Sequence, residues 1–144
     1  TVNVTKTGTP TGTDCSWSVT YSYAIVDDCT NAATTQTITY SGGDTEAPTL
    51  GATPIPSGDT LMNLCFADIP VGPSESVIQA LYTDNCGTVN VTKTGTPTGT
   101  GRLCTADYSD AIVDVGLNAA STHTITYSGG DTEAPTLGAT LIPS

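Results

Sequence analysis

Two acidic pairs are the first residues whose type and spacing could bind something. Asp44 and Glu46 stand in GGDTEAP, and the same letters return around Asp131 and Glu133. Carboxylates two residues apart, beside glycines and a proline that mark a hinge, are the hard oxygen donors that calcium gathers where two domains meet. A cation there would cancel the repulsion that otherwise splays the joint. Asp84 and Asn85, in the turn TDN, could add oxygens. The competing reading is a solvated acidic linker with an Asx turn at Asp84. Five cysteines (Cys15, Cys29, Cys65, Cys86 and Cys104) form the other reactive set. No two lie at CxxC spacing and the chain has a single histidine, which argues against zinc and for disulfides in an oxidising compartment.

These residues must be positioned by a repeat. At an offset of 87, residues 1–57 pair with 88–144, and 43 of those 57 positions are identical. TVNVTKTGTPTGT occurs unchanged at 1–13 and 88–100, and TITYSGGDTEAPTLGAT at 37–53 and 124–140. Divergence is concentrated where DCSWSVTYSY (14–23) faces GRLCTADYSD (101–110). Cys15 and Cys104 are 89 apart, which implies a two-residue slip there. Cutting at the GGDTEAP hinge gives one complete unit, 44–130. Residues 1–43 are then the C-terminal part of a preceding repeat, and 131–144 the start of a following one.

Alternation of apolar and polar residues predicts strands over 77–82, 88–94, 108–113 and 121–127, and over 16–26 with Trp17, Val19, Tyr21 and Tyr23 on one face. SESVIQALY (74–82) also reads as a short helix. Short strands between Gly, Pro, Asn and Asp turns predict an all-β fold, an immunoglobulin-like β-sandwich repeated in tandem.

Composition narrows the function. With 3 Lys+Arg against 14 Asp+Glu, a net charge of −11, the chain lacks the basic surface that nucleic acid or anionic lipid requires. Its 30 Thr and 11 Ser carry much of the solubility, as is common outside cells. No apolar run approaches the roughly 18 residues that span a bilayer. No Ser-His-Asp or phosphate-loop pattern is present, and the one histidine, His123, is matched by Gln36 in the other copy. The chain is therefore expected not to be an enzyme.

The order of signposts in 44–130 resembles a known family. DTEAPTL is followed by a cysteine strand NLC (63–65), then YTDNCG (82–87), a third cysteine, AIVD, Asn118 and STHTITY, and residues 24–50 follow the same order around AIVDDCTN. This is similar to the hyalin-repeat-like (HYR-like) modules strung along very large surface adhesins of gliding and biofilm-forming Bacteroidota. The resemblance implies an immunoglobulin-like sandwich, secretion to the cell surface, a role in adhesion or as a stalk, and no catalytic residues. One departure is Gly116, which stands where the first copy has Cys29. Expected bridges are Cys15–Cys29 and Cys65–Cys86, with Cys86–Cys104 as the alternative and Cys104 otherwise free or cross-linked between chains. Asn3 and Asn90 begin N-glycosylation sequons. Asp59-Thr60-Leu61 resembles the O-glycosylation acceptor motif of Bacteroidota, and Thr9, Thr53 and Thr96 precede prolines. Three functions follow as expectations: a stalk or filament shaft, a carbohydrate- or surface-binding adhesion module, and a filament subunit joined by strand complementation to neighbouring or like chains. Against the last, joining 131–144 to 1–43 leaves the equivalent of 58–87 absent.

Overall fold

The computed structural model describes residues 1–138, so the segment 131–144 is covered only in part. It is built of antiparallel β-sheet, with one short helix. Contacts gather the chain into two compact units: 1–51 with 82–90 and 112–120, and 52–81 with 91–111 and the residues from 121 on. This grouping cuts across the 87-residue period, because the first unit holds the end of one repeat together with the hinge and the TDNCG corner of the next.

In the first unit, β1 (Val2–Thr7) and β2 (Thr11–Thr13) both pair with the long β3 (Ser16–Asp27), and β4 (Gln36–Gly43) pairs with its other edge. Val2 lies opposite Asp27, Thr11 opposite Ser18, and Trp17 opposite Gly42. Gly8, between β1 and β2, and Gly12, in the middle of β2 opposite Trp17, have φ of 134° and 113°, values that L side chains rarely adopt. After the hinge, β5 (Thr49–Leu50) pairs with β6 (Tyr82–Thr83).

The second unit repeats the plan. β7 (Val89–Thr94) and β8 (Thr98–Thr100) pair with β9 (Leu103–Asp114), and β10 (His123–Gly129) with its far edge. The ends of two of these strands, Val89–Asn90 and Ile112–Asp114, group with the first unit. Cys104 lies opposite Gly129 as Trp17 lies opposite Gly42, and β9 follows β3 by 87 residues along its whole length. The expected two-residue slip is therefore corrected: Cys104 occupies the place of Trp17, and Arg102 the place of Cys15.

Two further expectations change. The segment 77–82 is not one strand, since residues Glu75–Gln79 form helix α1 and only Tyr82–Thr83 are extended. Ser74 is the extended N-cap, Glu75 falls in the first turn, and Ile78 is the one buried residue, so a single turn satisfies the apolar demand that alternation would have spread over a strand. NLC is likewise not a strand; Cys65 leads into a 3-10 turn at Phe66–Asp68.

Burial separates the two sheets. Along β9 every second residue from Cys104 to Asp114 is buried. In the second unit Ile69 packs on Cys104, Ala106 and Tyr108, with Leu64 and Tyr127 against them. In the strands of the first sheet Val19 alone is buried among the described residues. Val2 and Val4 are 64% and 59% exposed, and Ile38 and Tyr40 are 45% and 54% exposed, whereas Val89 and Ile125, the equivalents of Val2 and Ile38, are 5% and 1% exposed.

Candidate metal centre

Three carboxylates from different parts of the first unit converge. Oxygens of Asp44, Asp84 and Asp114 all lie within 4.8 Å of one another. Asp44 leaves β4 with its N–H bonded to the Cys15 carbonyl (2.9 Å), and its Oδ1 accepts from the Glu46 N–H (3.0 Å). Asp84 follows β6, where its Oδ1 accepts from the Cys86 N–H (2.9 Å), closing the Asx turn expected at TDN. Asp114 ends β9 and is held by Asn118. The Asn118 backbone N–H donates to Oδ1 and its side-chain Nδ2 to Oδ2, both at 2.8 Å. The same Nδ2 reaches the Asp44 carbonyl at 3.3 Å, tying the two acids together.

The electrostatics are unbalanced. Burial pushes the Asp114 carboxyl up, but hydrogen bonds from the Asn118 side chain and N–H and from the Gly116 N–H together hold it below the usual range. Asp114 thus stays ionised beside two further acids. Asp44 Oδ2 and Asp84 Oδ2 are buried with no hydrogen-bond partner among the described residues. Buried anionic oxygens without donors are costly. An all-oxygen set of this kind suits a hard divalent cation, with Asp44, Asp84 and Asp114 as its holders.

The other expected ligands lie elsewhere or at the rim. Glu46 lines a shallow hollow with Asp14, Asp44, Asn85 and Cys86, outside the three-acid cluster. Asp131 and Glu133 belong to the second unit, where Asp131 Oδ1 accepts from the Glu133 N–H (2.9 Å) and Glu133 Oε1 from Asn63 Nδ2 (3.2 Å). Asp114 is the residue that hinge-centred reasoning missed. Its signal was present, because an aspartate followed four residues on by asparagine occurs in both copies. Asp27 and Asn31 make the same clamp, with both Asn31 donors at 2.8 Å.

Cys15 Sγ donates to the Cys86 carbonyl, and the neighbouring Cys15 thiol, burial and nearby acids push the Cys86 thiol up to about 12. Cys29 and Cys65 are exposed. Cys104 is buried, its thiol donating to the Gly129 carbonyl at 3.2 Å. Thr60 lies in a projecting loop pinned at both ends to Ser128, through the Asp59 carbonyl (3.0 Å) and the Met62 N–H (3.1 Å). Leu61 beside it has a φ of 64° and is 93% exposed. Thr9, Thr53, Thr96, Asn3 and Asn90 are also exposed.

No known protein family, curated protein or solved structure matches this chain. No helix among the described residues is long and apolar enough to cross a membrane.

Proposed function

We propose that this chain is a stretch of a tandem-repeat shaft: HYR-like, immunoglobulin-like β-sandwich modules of a long extracellular fibre or surface adhesin. The observation that carries the reading is the building of one sheet twice, with the same strand order and with cross-strand partners displaced by 87 residues. A binding site needs only one good copy; duplication of a whole sheet with its turns serves length. In such an array each repeat needs only its neighbours for stability.

The uncovered face of the first sheet supports the same reading. Val2, Val4, Ile38 and Tyr40 await a covering segment of the kind that residues 52–81 supply in the second unit, delivered by a neighbouring repeat or a like chain. Calcium held by Asp44, Asp84 and Asp114 stiffens the array by fixing the hinge residue to the TDNCG corner and to the end of β9. Thr60, on its projecting loop, carries an O-glycan in this reading, and the chain works outside the cell.

The test is a series of chains with increasing numbers of the 44–130 repeat. At roughly 3.3 Å per residue the 12-residue β9 is about 40 Å long, so each added repeat is expected to lengthen the particle by a few nanometres in small-angle scattering. A particle that grows in cross-section instead of length removes the shaft.

A further inference from the structure

We propose that Cys15 and Cys86 form a disulfide that staples the end of one repeat to the TDNCG corner of the next. Three observations place the pair. The Cys15 thiol donates to the Cys86 carbonyl, which places the Cys15 sulfur against the main chain of Cys86. Both residues are half-buried and held by their main chains: Cys15 O accepts from the Asp44 N–H at 2.9 Å, and the Cys86 N–H donates to Asp84 Oδ1 at 2.9 Å. A Cβ added at Gly87 would lie 3.5 Å from Cys15 Sγ, an ordinary contact distance, so the sulfur packs directly beside the residue that follows Cys86.

The chemistry needs a two-electron oxidant, and a small-molecule or protein disulfide supplies it. A Cys15 thiolate attacks one sulfur of that disulfide and expels the other as a thiolate, leaving a mixed disulfide on Cys15. The Cys86 thiol then loses its proton and displaces the second oxidant sulfur, forming the Cys15–Cys86 bond. Two protein thiols and one oxidant disulfide become one protein disulfide and two oxidant thiols.

The bridge belongs to this junction rather than to every one. Position 102, which corresponds to Cys15 in the second copy, is arginine, and its carbonyl crowds Gly130 as the Cys15 carbonyl crowds Gly43. The hinge at Asp131 therefore has no cysteine in the equivalent place.

The proposal is tested on the full 144-residue chain. The protein is equilibrated with oxidised glutathione, alkylated in denaturant and mapped by mass spectrometry without reduction. The expected product is a peptide containing Cys15 joined to one containing Cys86. Recovery of both as alkylated thiols, or of either joined to another cysteine, overturns it. A second variant, C29S/C65S/C104A, retains only the pair. Its free-thiol count is expected to fall from two to none on oxidation while it stays monomeric on a non-reducing gel, and a disulfide-linked dimer counts against the proposal.

Discussion

At Asp84 one carboxylate does two unlike jobs. Oδ1 caps the turn by accepting from the Cys86 N–H, while Oδ2 is buried beside Asp44 and Asp114 with no donor. Asp84→Asn keeps the cap and removes the charge. In chelator the variant is expected to melt roughly 2–4 °C above the parent, because repulsion is relieved, and in millimolar calcium it is expected to gain nothing while the parent gains several degrees. Equal calcium shifts in the two proteins would remove Asp84 from the site. Asp110 shows the opposite imbalance. It is buried, with Oδ1 unpartnered among the described residues, and burial raises its carboxyl; Lys93 and His123 offset part of this, and Glu75 adds to it. A raised folded value means that the stability tied to its proton is complete below the ordinary carboxylate range and is lost as pH climbs through the folded value. Asp110→Asn is thus expected to raise the melting temperature by about 3 °C at neutral pH and by little in acid, and thermal melts across that range would show a constant difference if Asp110 were not the titrating group.

At the scale of elements, much was legible because a strand writes its period into the sequence. The alternation of Trp17, Val19, Tyr21 and Tyr23 gave β3 nearly to the residue, and TVNVTKT gave β7. The two readings of SESVIQALY could not be separated by pattern, because Val77 and Ile78 are adjacent and only burial distinguishes them: Ile78 is buried and Val77 is exposed. Two of the three acids of the candidate site were visible in the hinge and in TDN, but Asp114 sits in a different strand end, and no local rule brings position 114 to positions 44 and 84. Alternation also cannot report whether a face is covered. Val2 and Val89 occupy the same letter of the same segment, yet one is exposed and the other buried. That difference gives a prediction. Placing a second copy of residues 58–87 ahead of Thr1 completes the period over the first sheet and should bury Val2, Val4, Ile38 and Tyr40. Trp17, the chain's one tryptophan, lines the same sheet and reports the event. Its emission is expected to shift to the blue and its quenching by iodide to fall at least twofold; unchanged emission would mean that the added segment does not dock there.

For the molecule as a whole, acidity and hydrogen bonding pull against each other. The chain carries a net charge of −11, and its aspartates are held mainly by N–H donors, as at Asp27, Asp44, Asp84, Asp114 and Asp131. An N–H group orients a carboxylate and lowers its energy, but it does not cancel the net charge, so self-repulsion remains in the folded state. Any salt should therefore stabilise the protein by screening, smoothly and without saturation, as the Debye length falls to about 8 Å near physiological ionic strength. A calcium centre adds a different signature, because occupancy of a site that only the folded state offers stabilises as the logarithm of free ligand over its dissociation constant. Melting curves in sodium chloride, magnesium chloride and calcium chloride at matched ionic strength separate the two. The sodium curve is expected to rise gently, and the calcium curve to stand above it from millimolar concentrations down. Magnesium is expected to lie closer to sodium, because its tighter octahedral demand suits this strand-end geometry poorly. In Asp44→Asn/Asp84→Asn, which keeps both turn-capping oxygens, the calcium excess should vanish while the sodium response persists. If the three curves of the parent superimpose, the three acids hold no cation and respond to salt by screening alone.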